Sequence, residues 1–197
     1  MAGGRQREFD KADALDNAMR VFWQKGYVGA SLADLTRSMQ INKPSMYSTF
    51  GNKEQLFIQA VEHYLTHYIE TLGEPLTTDE PIKVRLKNYL LSVITQQCDE
   101  NTPKGCFISL CVAEYEGEAF PDQSALLVEK LAVFAEAFLE AFFKEEIARK
   151  RLPETVNSVM LARYIAVFMH GTAAMSRGGK TQQALEELVD IVIQVIP

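Results

Sequence analysis

Apolar residues recur along this chain at helical spacing. Leu15, Ala18, Met19 and Phe22 stand at i, i+3, i+4 and i+7, on one face of a first helix. Gly26 and Gly29 predict its end. Ser31 precedes Leu32 with Asp34 three residues on, the spacing of a capping box in which each side chain reaches the other's free backbone N–H. Leu32, Leu35 and Met39 are the apolar stripe of this short second helix, and Gln40 and Ile41 form a tight turn after it. Asn42 predicts the cap of a third helix, because its side-chain oxygen can accept from the next turn's free amides. Lys43 and Pro44 open that helix, where a missing N–H does no harm, and it ends near Phe50 and Gly51. Asn52 caps a fourth, longer helix carrying Leu56, Phe57, Ala60, Val61 and Tyr64.

Gly73, Pro75 and Pro81 mark residues 73–81 as a connector. Five further helices are predicted at 82–97, 105–117, 122–148, 154–177 and 181–195, punctuated by Pro103, Gly105, Pro121, Pro153, Gly178 and Gly179. No stretch alternates with period two. The pattern therefore predicts an all-α fold: a small three-helix head over 1–51, then a connecting helix and a larger helical body over 52–197.

Length and composition fit one domain, or one plus a small module, with a sizeable core: 197 residues, 47% hydrophobic and 23% charged. Apolar runs fall far short of the ~18 residues that span a bilayer, so no membrane is expected. Met1 to Asp10 is polar and carries no apolar signal segment, and three cysteines are too sparse for a disulfide framework, so the expected location is cytoplasmic. The net charge of −6 opposes nucleic acid, but its distribution does not. Residues 1–56 hold eight Lys/Arg, including Arg5 and Arg7, against six Asp/Glu, and the rest hold twelve against twenty. A basic head on an acidic body orients a molecule on a polyanion.

Two short helices joined by a tight turn under a first helix describe a helix-turn-helix. Its second helix presents N-terminal residues to base edges in the major groove. Those residues are Lys43, Ser45 and Met46, with Tyr47 and Thr49 one turn on. Lys43 can donate to guanine O6 and N7 or to a phosphate. Tyr47, Thr49 and the amide end capped by Asn52 suit phosphate oxygens. Lys53 adds charge where the helix dipole already favours an anion, and Ser31 offers a similar helix start.

The stretch Ser31 to Phe57, SLADLTRSMQINKPSMYSTFGNKEQLF, resembles the signature of the TetR family of transcriptional regulators. The matching features are Ser31 at the start of helix two, Tyr47 with Phe50, and the junction Gly51, Asn52, Lys53, Glu54, Leu56. Leu15, Ala18, Phe22 and Gly26 match the family's first helix. Pro44, itself among the expected DNA-binding residues, stands where the family more usually has a small residue such as glycine, so which of Lys43, Ser45 and Met46 reach bases stays open. The resemblance implies a repressor that is a homodimer on a palindromic double-stranded DNA operator. It also implies a body whose small-molecule effector changes the spacing of the two heads and releases the DNA. The last two predicted helices would pair with a second copy through Leu161, Ile165, Phe168, Leu185, Leu188, Val189, Val192 and Val195.

Aromatics at 134, 138, 142, 143, 164 and 168 stripe the body and either fill a core or line a cavity. The candidate lining of an effector pocket is Cys106, Leu110, Phe134, Phe138, Phe168 and His170, and its occupant an uncharged or weakly polar molecule. Cys106 follows Lys104 and Gly105 at a predicted helix start, where a cation and the helix dipole favour thiolate. A Gly-Cys here resembles a subgroup of the family with members that sense oxidants or electrophiles, so a thiol trigger is the alternative, against a small buried hydrophobe. Cys111 reads as core. His63 and His67 are four apart with only Glu62 and Glu70 near, a solvated face rather than a metal site, and no cofactor is expected. An enzyme lacks support, since no phosphate loop, metal set or nucleophile–base pair is evident. A helical adaptor binding only protein is the remaining alternative.

Overall fold

The computed structural model describes residues 9–115 and 120–197, and no strand forms among them. Arg5, Arg7 and the predicted end of the sixth helix at 117 lie outside the described residues. Helix α1 spans Lys11–Gly29, and Asp10 caps it by accepting from the Ala12 and Asp13 amides at 2.7 and 3.1 Å. Gly26 kinks it: φ of 74° is a left-handed conformation that a side chain resists. Helices α2 (Leu32–Ser38), α3 (Lys43–Phe50) and α4 (Lys53–Tyr64) follow.

The chain does not loosen after Tyr64. A π-helical turn, Leu65–Ile69, runs into a 3-10 helix, Glu70–Thr77, that includes Pro75. Half of the predicted connector is thus helical. Gly73 and Pro75 do not break it because Leu72 and Leu76 pack on the body and the buried Arg85 guanidinium donates to the Leu76 carbonyl.

The body comprises α5 (Ile82–Gln97), α6 (Phe107–Glu114), α7 (Asp122–Ala148), α8 (Ser158–Arg177), α9 (Gln182–Glu186) and α10 (Val189–Gln194). Helix α8 begins later than residue 154, because Asn157 caps it by accepting from the Met160 amide at 3.1 Å. The predicted helix at 181–195 is divided: the Leu188 amide bonds the Leu185 carbonyl, a tighter i+3 step, at 3.2 Å. Leu185, Val189, Val192 and Ile196 still form one buried stripe.

Two apolar clusters hold the molecule together. The first joins α1–α4 to α6 and the start of α7. In it, Phe57 meets Phe22 and Tyr27 edge-on at centroid distances of 5.3 and 4.9 Å, and Tyr64 meets Trp23 and Phe107 at 4.9 and 5.6 Å. The second joins α5, the later part of α7 and α8–α10. An ion pair, Arg85 to Glu146 at 3.0 Å, is buried beside it, with the guanidinium 5.0 Å over the Phe142 ring.

Candidate nucleic-acid interface and effector cavity

The ends of the short head helices are fixed by local side-chain bonds. Ser31 Oγ accepts from the Asp34 amide at 3.1 Å, and the Asp34 carboxylate accepts from the Ser31 amide at 3.3 Å. Lys25 lies 2.8 Å from Asp34 and, with Ser31, holds that carboxyl below its ordinary range. Asn42 accepts from the Ser45 amide at 2.8 Å, and Asn52 from the Gln55 amide at 2.9 Å. Helix α3 is thereby locked in rotation, with Met46 and Phe50 in the core.

That rotation sorts the predicted DNA contacts. Lys43, Pro44 and Tyr47 are exposed, and Tyr47 keeps 47% of its surface. Ser45 and Thr49 are half-buried at the flanks. Met46 is fully buried, so its side chain is packing and not a base contact, which corrects its place among the expected readers. Ser48 completes the outer face and was not anticipated; its spacing of four from Pro44 was the available signal. Lys53 is half-buried, its Nζ 4.6 Å over the Tyr27 ring. Burial pushes its ammonium down while nearby Glu114 pushes it up. It is therefore part of a junction with α1 and α6 rather than a freely projecting cation. The Ser31 hydroxyl is exposed but engaged, donating to Asp34 at 2.7 Å.

Body and head are clasped at several points. The Glu114 carboxylate, at the end of α6, accepts from the Tyr27 and Val28 amides at 2.7 and 3.0 Å. A side chain at Gly26 would collide with that carboxylate. Arg177, ending α8, donates to the carbonyls of Trp23 and Gln24 at 3.0 and 3.2 Å. Glu54, in the first turn of α4, caps α7 by accepting from the Gln123 and Ser124 amides, each at 3.0 Å.

A cavity of about 160 Å³ lies in the body, walled by the 3-10 helix and by α5, α6, α7 and α8. Cys106, Phe134, Phe138 and His170 line it, together with Leu72, Gly73, Tyr89, Val93, Gln97, Ile108, Ser109 and Met169. Leu110 and Phe168 do not: both are half-buried, and Phe168 packs against the second apolar cluster. Phe168 stands two residues, about half a helical turn, from His170, so apolarity alone does not place it in the cavity. Ser109 Oγ and His170 Nδ1 are hydrogen-bonded at 2.7 Å, a serine–histidine contact hidden by a separation of 61 residues. Burial pushes the His170 imidazole below its ordinary value. The Tyr64 hydroxyl donates to Cys106 Sγ at 3.5 Å. Lys104, expected beside that thiol, instead donates to the Cys98 carbonyl at 2.6 Å. Cys111 is buried in the first cluster, and burial pushes its thiol up.

The His63 and His67 rings lie 4.0 Å apart, but His67 Nδ1 is tied up at 2.9 Å from the His63 carbonyl. Among the described residues no group of three or more potential metal ligands forms. No helix among them is long and apolar enough to cross a membrane.

The expected dimer residues divide. Ile165, Leu185, Val189 and Val192 are buried in the chain's own second cluster, so they cannot meet another copy, and Leu161 and Phe168 are half-buried against it. Leu188 and Val195 are exposed. The outward face of α8 carries Met160, Tyr164, Val167 and Met175, and that of the last segment Leu188, Ile191 and Val195. Val167 and Ile191 keep 65% and 59% of their surface.

Residues 14–60 match the family described as bacterial regulatory proteins, tetR family. The chain is 28% identical to the HTH-type transcriptional repressor ComR of Escherichia coli, over 98% of this chain and 92% of that protein. It is 26% identical to the HTH-type transcriptional repressor BdcR of the same species, over 92% and 86%. Among solved structures it is similar to a cysteine mutant of the TetR family transcriptional regulator CifR complexed with 26-bp double-strand operator DNA. That match has a TM-score of 0.87 at 27% identity, covering 98% of this chain and all of the other. Reduced E. coli NemR shares the fold, with a TM-score of 0.76 at 19% identity over 94% and 97% of the two chains.

Proposed function

Because this chain belongs to the TetR family of bacterial transcriptional regulators, we propose that it is a homodimeric repressor whose α3 reads a palindromic operator and whose body cavity takes the effector that releases it. On this reading residues 1–51 are the DNA-binding unit, 52–197 bind effector and partner copy, and the protein works in the cytoplasm beside the chromosome. The observation that carries the proposal is the outer face of α3. Lys43, Pro44, Tyr47 and Ser48 project outward from a helix that Asn42 caps and that Met46 and Phe50 anchor. Such a face has no packing role in the chain, and its residue types suit base edges and phosphates.

The test is fluorescence anisotropy on duplexes spanning the DNA upstream of the coding region, at several salt concentrations. Parent protein binds a palindrome there with a steep salt dependence. Lys43→Ala and Tyr47→Ala each weaken binding by about 1–3 kcal/mol where a base contact is lost, or flatten the salt slope where a phosphate contact is lost. Both variants binding as tightly as the parent would overturn this assignment of α3.

The position of Cys106 favours a second trigger on the same fold, since its thiol lines the effector cavity. Under that reading a mild oxidant or electrophile releases operator from the parent and not from Cys106→Ser. A parent indifferent to such reagents removes it.

A further inference from the structure

We propose that the cavity selects a neutral molecule about the size of a single aromatic ring that carries a hydroxyl or N–H donor, received by the Gln97 side-chain oxygen. The proposal deepens, and rests on, the reading of this cavity as the effector site.

Volume sets the size: the cavity is about 160 Å³, and an apolar protein cavity of roughly 150 Å³ accommodates benzene. Tyr89, Phe134 and Phe138 supply ring surfaces for a flat occupant. The walls also disfavour an anion. Among the described residues no lysine or arginine lines the space, and its carboxylate, Glu70, sits at an exposed position where it repels anions. Burial pushes the His170 imidazole down, which disfavours its charged form, and its Nδ1 is already joined to Ser109. A carboxylate or phosphate would lose its hydration here with no cation to replace it.

Gln97 supplies the polar selection. It lines the cavity and is 2% exposed. Its backbone carbonyl is held at both lone pairs, by the Gly105 amide at 2.8 Å and the Ser176 hydroxyl at 2.7 Å. Its side-chain Nε2 donates to the Met169 carbonyl at 3.1 Å. A carbonyl can only accept, so the amide is oriented: nitrogen toward Met169, and Oε1 left over. That Oε1 is buried with no hydrogen-bond partner among the described residues. A buried acceptor without a donor is costly, and an occupant that brings the donor recovers the loss.

Calorimetry on the full-length dimer with phenol, anisole, toluene and benzoate tests this, read alongside operator binding. Phenol has the donor, anisole keeps the oxygen without it, toluene lacks both and benzoate is charged. Transfer out of water favours toluene over phenol, so a reversed order reports the hydrogen bond. Phenol is expected to bind the parent at least about tenfold more tightly than anisole or toluene, with benzoate weakest. In Gln97→Met that advantage shrinks to within about twofold, because the variant keeps the side chain's bulk and loses its oxygen. Should Gln97→Met fail to fold, the parent's ranking decides alone. Ala135→Trp, which fills the cavity, is expected to abolish binding of every ring. Anisole or toluene matching phenol in the parent, with Ala135→Trp still abolishing both, overturns the donor selection and leaves the cavity reading standing. Benzoate binding most tightly overturns the neutral class. No ring binding at all overturns the cavity reading itself.

Discussion

Met46 and Tyr47 are neighbours on α3 with opposite surroundings, one fully buried and the other half-exposed. Local sequence placed both at the start of a recognition helix, and only the packing under that helix told them apart. The consequence is measurable. Met46→Ala should cost about 2–5 kcal/mol of stability in denaturant unfolding, through lost contacts and a cavity. Tyr47→Ala should stay within about 0.5 kcal/mol of the parent in the same assay, because it removes surface. Equal stability losses in the two variants would show that α3 is rotated differently. The same lesson holds for Cys106 and Lys104. Adjacency in sequence suggested a thiol activated by a neighbouring ammonium, whereas the ammonium is spent on the Cys98 carbonyl.

At the scale of elements, α6 is the short rod between cavity and head. Cys106, Ile108 and Ser109 line the cavity at its start, and Glu114 at its end holds the α1 turn. Glu114→Ala removes the acceptor for two amides and leaves Lys53 without its nearby carboxylate. Stability should fall by about 1–3 kcal/mol, and hydrogen exchange at Tyr27 and Val28 should accelerate. Glu114→Gln retains one acceptor oxygen and should fall between. Unchanged exchange at those amides in Glu114→Ala would mean that the clasp does not hold the turn. None of this was visible in sequence, because the partners are 86 and 87 residues apart. The helix ends of the head, by contrast, were legible: Ser31, Asn42 and Asn52 act on amides three residues away.

For the whole molecule, we propose that a second copy docks on the outward faces of α8 and of the final segment. Met160, Tyr164, Val167 and Met175 recur at spacings of a single helix face around Gly171, whose missing side chain leaves open space for close approach. Leu188, Ile191 and Val195 extend the patch. Two such faces related by a two-fold axis make a four-helix interface. Val167→Glu should therefore sediment as a monomer at micromolar concentration with unchanged helix content, since the residue is exposed within the chain. Its operator binding should weaken sharply, because a palindrome requires two heads about 34–36 Å apart. A dimer that persists in Val167→Glu would place the interface elsewhere.

The sequence by itself determined where the second, third and fourth helices begin and that the fold is helical. Those properties rest on side chains bonding to backbone within one turn and on a 3.6-residue period, both of which act over a few positions. Only the tertiary structure decided which face of each helix turns inward. Ile165, Leu185, Val189 and Val192 are as apolar as Val167 and Ile191, yet the first set fills this chain's own core and the second is left outside. Both faces of α8 and of the last segment are apolar, so periodicity names two stripes without ranking them. The choice belongs to the neighbours, here α5 and α7, which cover one stripe and leave the other exposed.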